Sequence, residues 1–208
     1  MSLNSMSSLF PGSIKCLIAC IIALSSQGVK LSLQNETDKR LPKLVVFDLD
    51  YTLWPINVTA EPQFEQTNGV ISDVNGKVLH PFDNIPEILQ YVKGLGCKIG
   101  IAYQANYTRE ANLLLHWYKW DKYIDYKQIL PGVHTTHFAN LKKESGIDYK
   151  DMLFFDDEIE NYFDVGRLGV TYHLVLHGVN MTIIEDGFKR WRRNNPIDLK
   201  INKNNKTM

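Results

Sequence analysis

The chain lacks an excess of charge of either sign. Its 208 residues carry 23 Lys plus Arg against 23 Asp plus Glu, so no overall field draws it to nucleic acid or an anionic surface. Neither is expected as a partner. Cysteine is scarce: there are three, of which Cys16 and Cys20 sit in an N-terminal apolar stretch and only Cys97 lies in the body. One thiol cannot make an internal disulfide framework, which fits a reducing compartment and an expected cytoplasmic location. A long apolar run is also missing. The stretch 16–24 falls short of the roughly 20 apolar residues a spanning helix needs, so no stable membrane span is expected. No internal repeat is present.

The stretch 16–24 follows Lys15 and precedes Ser25-Ser26, the layout of a signal peptide. The alternative location is therefore the secretory pathway; an unprocessed leader or a docked helix is the other reading. Five Asn-x-Ser/Thr sequons, at Asn35, Asn57, Asn106, Asn180 and Asn205, would matter only in that pathway.

Apolar residues make up 44% and charged residues 22% of the chain, an ordinary globular balance. Residues 1–40 read as a leader, 41–193 as one α/β domain expected to be a monomer, and 194–208, rich in Asn and Lys, as a disordered tail. From Leu41 strand-like and helix-like segments alternate, which predicts a parallel sheet covered by helices in three layers. Strands are expected at Lys43–Phe47, Lys98–Ala102, Tyr123–Ile129, Met152–Phe155 and Val170–Leu176. Helices are expected from Asp83 or Asn84 to about Leu95, over Thr108–Tyr118, from Thr135 or Thr136 to about Ser145, and over Thr182–Arg193. Within the long excursion 51–82, Asn75-Gly76 between alternating apolar residues predicts a hairpin, read as a small flap over the first strand.

The chemistry gathers at two strand ends. Phe47-Asp48-Leu49-Asp50-Tyr51-Thr52 follows Leu44-Val45-Val46, and Asp156-Asp157-Glu158 follows Met152-Leu153-Phe154-Phe155. In a parallel sheet both acidic clusters emerge at the carboxyl edge, where ligands bind. Carboxylates crowded there repel unless a cation neutralises them, and hard oxygen donors favour Mg²⁺. Asp-x-Asp-x-Thr after an apolar strand also suits phosphoryl transfer through an aspartyl-phosphate. Taken singly, the first cluster could be an acidic turn and the second a helix cap. His116, His137, His173 and His177 lack paired ligand spacing. Lys189-Arg190-Trp191-Arg192-Arg193 reads as a solvated helix end.

The run Leu41-Pro42-Lys43-Leu44 through Phe47-Asp48-Leu49-Asp50-Tyr51-Thr52-Leu53-Trp54-Pro55 resembles the magnesium-dependent phosphatases of the haloacid dehalogenase superfamily. So do Pro131-Gly132 with Thr136-His137-Phe138, and Phe154-Phe155-Asp156-Asp157-Glu158 with Asn161 and Asp164-Val165-Gly166-Arg167-Leu168-Gly169-Val170. The resemblance implies a Rossmann-like core with a flap in place of a large cap, and Mg²⁺-dependent hydrolysis of phosphomonoesters. It implies Asp48 as nucleophile and Asp50 as general acid and base. Mg²⁺ would be held by Asp48, the Asp50 backbone carbonyl and Asp156, with Asp157 beside them. The substrate would be a phosphorylated protein (phosphotyrosine) or a small phosphomonoester such as a phosphosugar.

Two parts of that pattern are replaced. Tyr103 stands where the family has Ser or Thr, followed by Gln104-Ala105 in place of Arg-Thr. His134 stands where it has a phosphate-neutralising Lys soon after Pro-Gly. Tyr103, Gln104 and His134 are expected to border the substrate, with Trp54 stacking on it or packing at a hinge. If His134 substitutes for the lysine, activity should rise as pH falls below about 6.5, the reference imidazole constant. Each lost donor typically costs on the order of 10²–10³ in rate. A slow enzyme and a non-catalytic phosphate- and metal-binding module are the two readings.

Overall fold

A computed structural model describes residues 39–58 and 63–197. The leader expected over 1–40 and the tail expected over 194–208 lie almost wholly outside the described residues. Among the described residues no helix is long and apolar enough to cross a membrane.

The fold grows from two four- to five-residue apolar strands. β1 (Leu44–Phe47) and β6 (Met152–Asp156) are buried along their whole length, as strands covered on both faces must be. They pair in parallel with Phe47 opposite Phe155. β4 (Lys98–Gln104) flanks β1 on its other side, β5 (Tyr126–Leu130) lies outside β4, and β7 (Thr171–Leu174) lies outside β6. The order is β5-β4-β1-β6-β7, all parallel.

Side chains alternate across β1 and so divide the interior into two layers. Val45 and Phe47 join a core with α1 (Ile85–Gly94), α2 (Thr108–Trp117) and α5 (Met181–Asn194). Leu44 and Val46 face α3 (His134–Ser145) and α4 (Asn161–Arg167). This is the expected three-layer α/β architecture. One close approach demands glycine: a Cβ on Gly187 of α5 would lie 2.4 Å from the Phe155 ring.

The flap differs in detail. An antiparallel ribbon of β2 (Phe64–Thr67) and β3 (Val70–Asp73) turns at Asn68-Gly69, both at positive φ, 51° and 84°, as a tight hairpin requires. The predicted turn at Asn75-Gly76 also exists, but it returns the chain through a single bridge, Ser72 to Val78. Asp73 closes it by accepting from the Asn75 and Lys77 backbone N–H groups at 2.9 Å. The polar flanks of Asn68-Gly69 hid the principal hairpin from a pattern search for alternating apolar residues. Helix α4 was likewise not anticipated; it is short, and Tyr162 and Phe163 stand exposed on it.

Candidate active site

Parallel register alone brings the two acidic clusters together. Asp48 follows β1, Asp156 ends β6, and the Asp48 N–H donates to the Phe155 carbonyl at 2.9 Å. Beyond Asp48 the chain folds back on itself, with Tyr51 at φ 51° and the Leu53 N–H donating to the Leu49 carbonyl at 2.8 Å. That turn points Asp48 and Asp50 into one cleft of about 350 Å³. Five carboxylates line it, those of Asp48, Asp50, Asp156, Asp157 and Glu158, and no lysine or arginine among the described residues does.

Asp48 and Asp156 are buried. Burial holds the Asp48 carboxyl well above the usual range, with the charges of Asp156, Asp50 and Asp157 adding to it. Burial also raises Asp156, against a 2.8 Å hydrogen bond from Asn161 Nδ2 that favours its ionised form. Asp157 is pushed up to about 6, chiefly by burial. Crowded, desolvated carboxyls are pushed towards their protonated forms unless a positive charge offsets them. A divalent cation supplies one. Ligand atoms from Asp48, Asp156 and His134 lie within 4.8 Å of one another. Hard carboxylate oxygens in that cluster suit Mg²⁺, so the residues present fit the ion.

Asp50 is held differently. Its Oδ1 accepts from Trp54 Nε1 at 2.7 Å, and its Oδ2 from the Val58 N–H at 2.9 Å and the Tyr103 hydroxyl at 2.7 Å. Burial raises its pKa, and those three bonds oppose the rise. Tyr103 therefore reaches Asp50 across the mouth of β4, while Gln104 stands exposed at the cleft wall.

Trp54 requires a correction. It does not border the cleft: it is fully buried, stacked 5.9 Å from Trp120 and tilted against Tyr118 at 6.2 Å. It reaches the site through its indole N–H on Asp50 and a backbone bridge to the same residue, and a fully buried ring is not placed to stack on substrate.

His134 opens α3 and lies in the cleft, but as a neutral ring. Burial, and then the neighbouring His137, bring its pKa down to about 3. A pKa that low leaves little imidazolium between pH 5 and 8 and argues against the expected rise of activity below pH 6.5. Lys142, the first lysine beyond it, pairs with Asp148 at 2.9 Å at the far end of α3.

Asn161 entered the sequence reading only as part of the resemblance and with no role; the structure shows it donating to Asp156 Oδ2 from the first turn of α4. Asn57 and Asn106, read in the sequence only as sequons, and Glu158, read only as part of an acidic cluster, also line the cleft.

An Asp-x-Asp turn on a central parallel strand, facing an acidic strand tip with no large cap among the described residues, defines a phosphohydrolase of the haloacid dehalogenase type. The comparisons agree. Residues 40–194 match the family model described as Acid Phosphatase. Human "Magnesium-dependent phosphatase 1" is 36% identical over 157 residues, 74% of this chain and 89% of that protein. A HAD-like hydrolase superfamily protein of Schizosaccharomyces pombe is 36% identical over 145 residues, 63% of this chain and 84% of that one. In fold, the magnesium complex of a HAD family enzyme from Bacteroides thetaiotaomicron matches with a TM-score of 0.53 at 12% identity, over 70% of this chain and 99% of that one. The chain belongs to the acid phosphatase family, the magnesium-dependent phosphatases of the haloacid dehalogenase superfamily.

Proposed function

We propose that the chain hydrolyses phosphomonoesters through a phosphoryl group carried on Asp48. The observation that supports this best is the buried Asp48 carboxyl at the tip of the central strand, beside Asp156 on the adjacent strand. Mg²⁺ held by Asp48, Asp156 and the Asp50 carbonyl, with Asp157 beside them, would neutralise charge on the phosphoryl oxygens.

The residues divide the work. An Asp48 oxygen attacks phosphorus and the ester P–O bond breaks, leaving an acyl phosphate. Asp50 passes a proton to the departing oxygen; its burial-raised pKa suits that task. Of its three partners, the Trp54 indole and the Val58 amide can only donate, whereas the Tyr103 hydroxyl can also accept. Tyr103 is thus the partner able to reverse when Asp50 is protonated. Asp50 then takes a proton from water as that water attacks phosphorus, and Asp48 is freed.

The substrate is a phosphorylated protein side chain, phosphotyrosine among them, or a small phosphosugar. A hairpin in place of a large cap leaves the cleft open to either. Specific observations also favour the second reading, a module that binds but barely turns over: His134 is neutral where the family has a lysine, and Tyr103 bonds to Asp50.

Hydrolysis of a chromogenic aryl phosphate, with and without Mg²⁺, separates the two. Mg²⁺-dependent turnover lost in Asp48→Asn is the expected result. Turnover surviving in Asp48→Asn overturns the nucleophile assignment. No turnover with Mg²⁺ still bound favours the module.

A further inference from the structure

His134 and His137 lie one turn apart on α3 and touch through their Nδ1 atoms at 3.3 Å, the rings nearly perpendicular at 87°. Two nitrogens at that distance share one proton: one donates and the other accepts. Which one donates follows from the far side of His137. Its Nε2 lies 3.0 Å from the Leu130 carbonyl oxygen, and a carbonyl can only accept, so the His137 proton sits on Nε2. His137 is fully buried and no carboxylate contacts it among the described residues, so its ring is neutral. Its Nδ1 then carries a bare lone pair and accepts from His134 Nδ1–H. His134 is only 4% exposed, and a ring whose N–H sits on Nδ1 presents a lone pair at Nε2. That nitrogen has no hydrogen-bond partner among the described residues, and His134 lies against the cleft with one ring nitrogen within 4.8 Å of the Asp48 and Asp156 carboxylate oxygens.

We propose that His134 Nε2 is a nitrogen ligand at the carboxylate ion site, so that this site binds borderline divalent transition ions such as Mn²⁺, Co²⁺ or Zn²⁺ in addition to Mg²⁺. The inference rests on the metal reading above. The replacement of a lysine by histidine removes a charge and installs a ligand. Imidazole is a common ligand for transition ions, while Mg²⁺ takes oxygen almost exclusively. The Leu130 carbonyl, His137 and His134 form the kind of outer chain that fixes which ring nitrogen of a metal-binding histidine is free, and losing such a partner typically weakens metal affinity on the order of 10–100-fold.

The test is pulsed electron paramagnetic resonance of Mn²⁺ added to the full chain, with histidine at natural abundance and ¹⁵N-labelled. The expected result is a directly coordinated ¹⁴N coupling that changes to the ¹⁵N pattern on labelling and disappears in His134→Gln, which still binds Mn²⁺ through its carboxylates. His137→Leu should weaken Mn²⁺ binding by on the order of 10–100-fold, with little effect on Mg²⁺. The wild-type spectrum decides the matter even where a variant fails to fold. Bound Mn²⁺ with no histidine coupling overturns the inference and leaves the metal reading standing. A coupling that persists in His134→Gln assigns the nitrogen elsewhere and also overturns it. Failure to bind Mn²⁺ at all overturns both.

Discussion

Acid should unfold this protein earlier than its carboxylates alone require, because of His134. The imidazole is 4% exposed; burial, and secondarily His137, hold its pKa at about 3, against about 6.5 in the unfolded chain. Between those values the unfolded state binds a proton that the folded state refuses. The resulting stability is therefore fully present above pH 6.5 and is lost as pH falls. At pH 5 the loss relative to pH 8 is RT ln(1 + 10^1.5), about 2 kcal/mol. It depends little on the folded value so long as that lies below about 4. For a domain of this size it corresponds to a fall in Tm of about 4–8 °C. The perturbation is His134→Gln, which has no such proton to gain. Thermal melts of both chains in chelator, at pH 5 and pH 8, give the double difference; His173, also held low by burial, is common to both and cancels, while His137, which touches His134, is read together with it. The wild type should lose about 4–8 °C more than the variant. Equal losses, or a His134 Hε1 proton resonance that titrates near pH 6.5, would refute the reasoning and restore the imidazolium as a substitute for lysine.

Tyr103→Phe removes a bond that favours ionised Asp50, so the limb of the hydrolysis profile that reports Asp50 should move to higher pH; an unmoved limb would separate Asp50 from the proton transfer. Trp54→Phe keeps an aromatic ring in the stack but deletes the 2.7 Å bond to Asp50 Oδ1. It should cost about 1.5–3 kcal/mol in urea unfolding, the worth of a hydrogen bond to a charged group, without altering KM, since the ring does not touch the cleft. Gly187→Ala places a methyl 2.4 Å from the Phe155 ring and should destabilise by about 1–3 kcal/mol, as overpacking does; a melt unchanged within error would contradict that close approach.

The layers were legible in the sequence because β1 and β6 are short apolar runs that end in acids, and a parallel sheet leaves such ends no place but one edge. That puts Asp48 and Asp156 on one edge; their closeness comes from the pairing of β1 with β6, which the pattern did not show. Trp54 was left open between stacking on substrate and packing because a position beside a motif does not reveal which way a ring turns; the buried stack with Trp120 and Tyr118 that decides for packing pairs residues more than 60 positions apart. His134 was recognised as a replacement, yet its charge state depends on burial and on His137, neither of which periodicity reports. The sequons carry a similar lesson: Asn57 and Asn106 line the cleft, and Asn180 caps α5 by accepting from the Ile183 N–H at 3.1 Å, so their side chains already have structural settings that spacing does not show.

The central claim is a phosphoryl group passing through Asp48. Its most direct test is intact-mass analysis of the chain quenched after exposure to Mg²⁺ and a reactive phosphoryl donor, followed by peptide mapping. One phosphoryl unit on the peptide containing Asp48, absent from Asp48→Asn, is the predicted result. Sustained phosphate release from a chain that carries the group on another residue would contradict it.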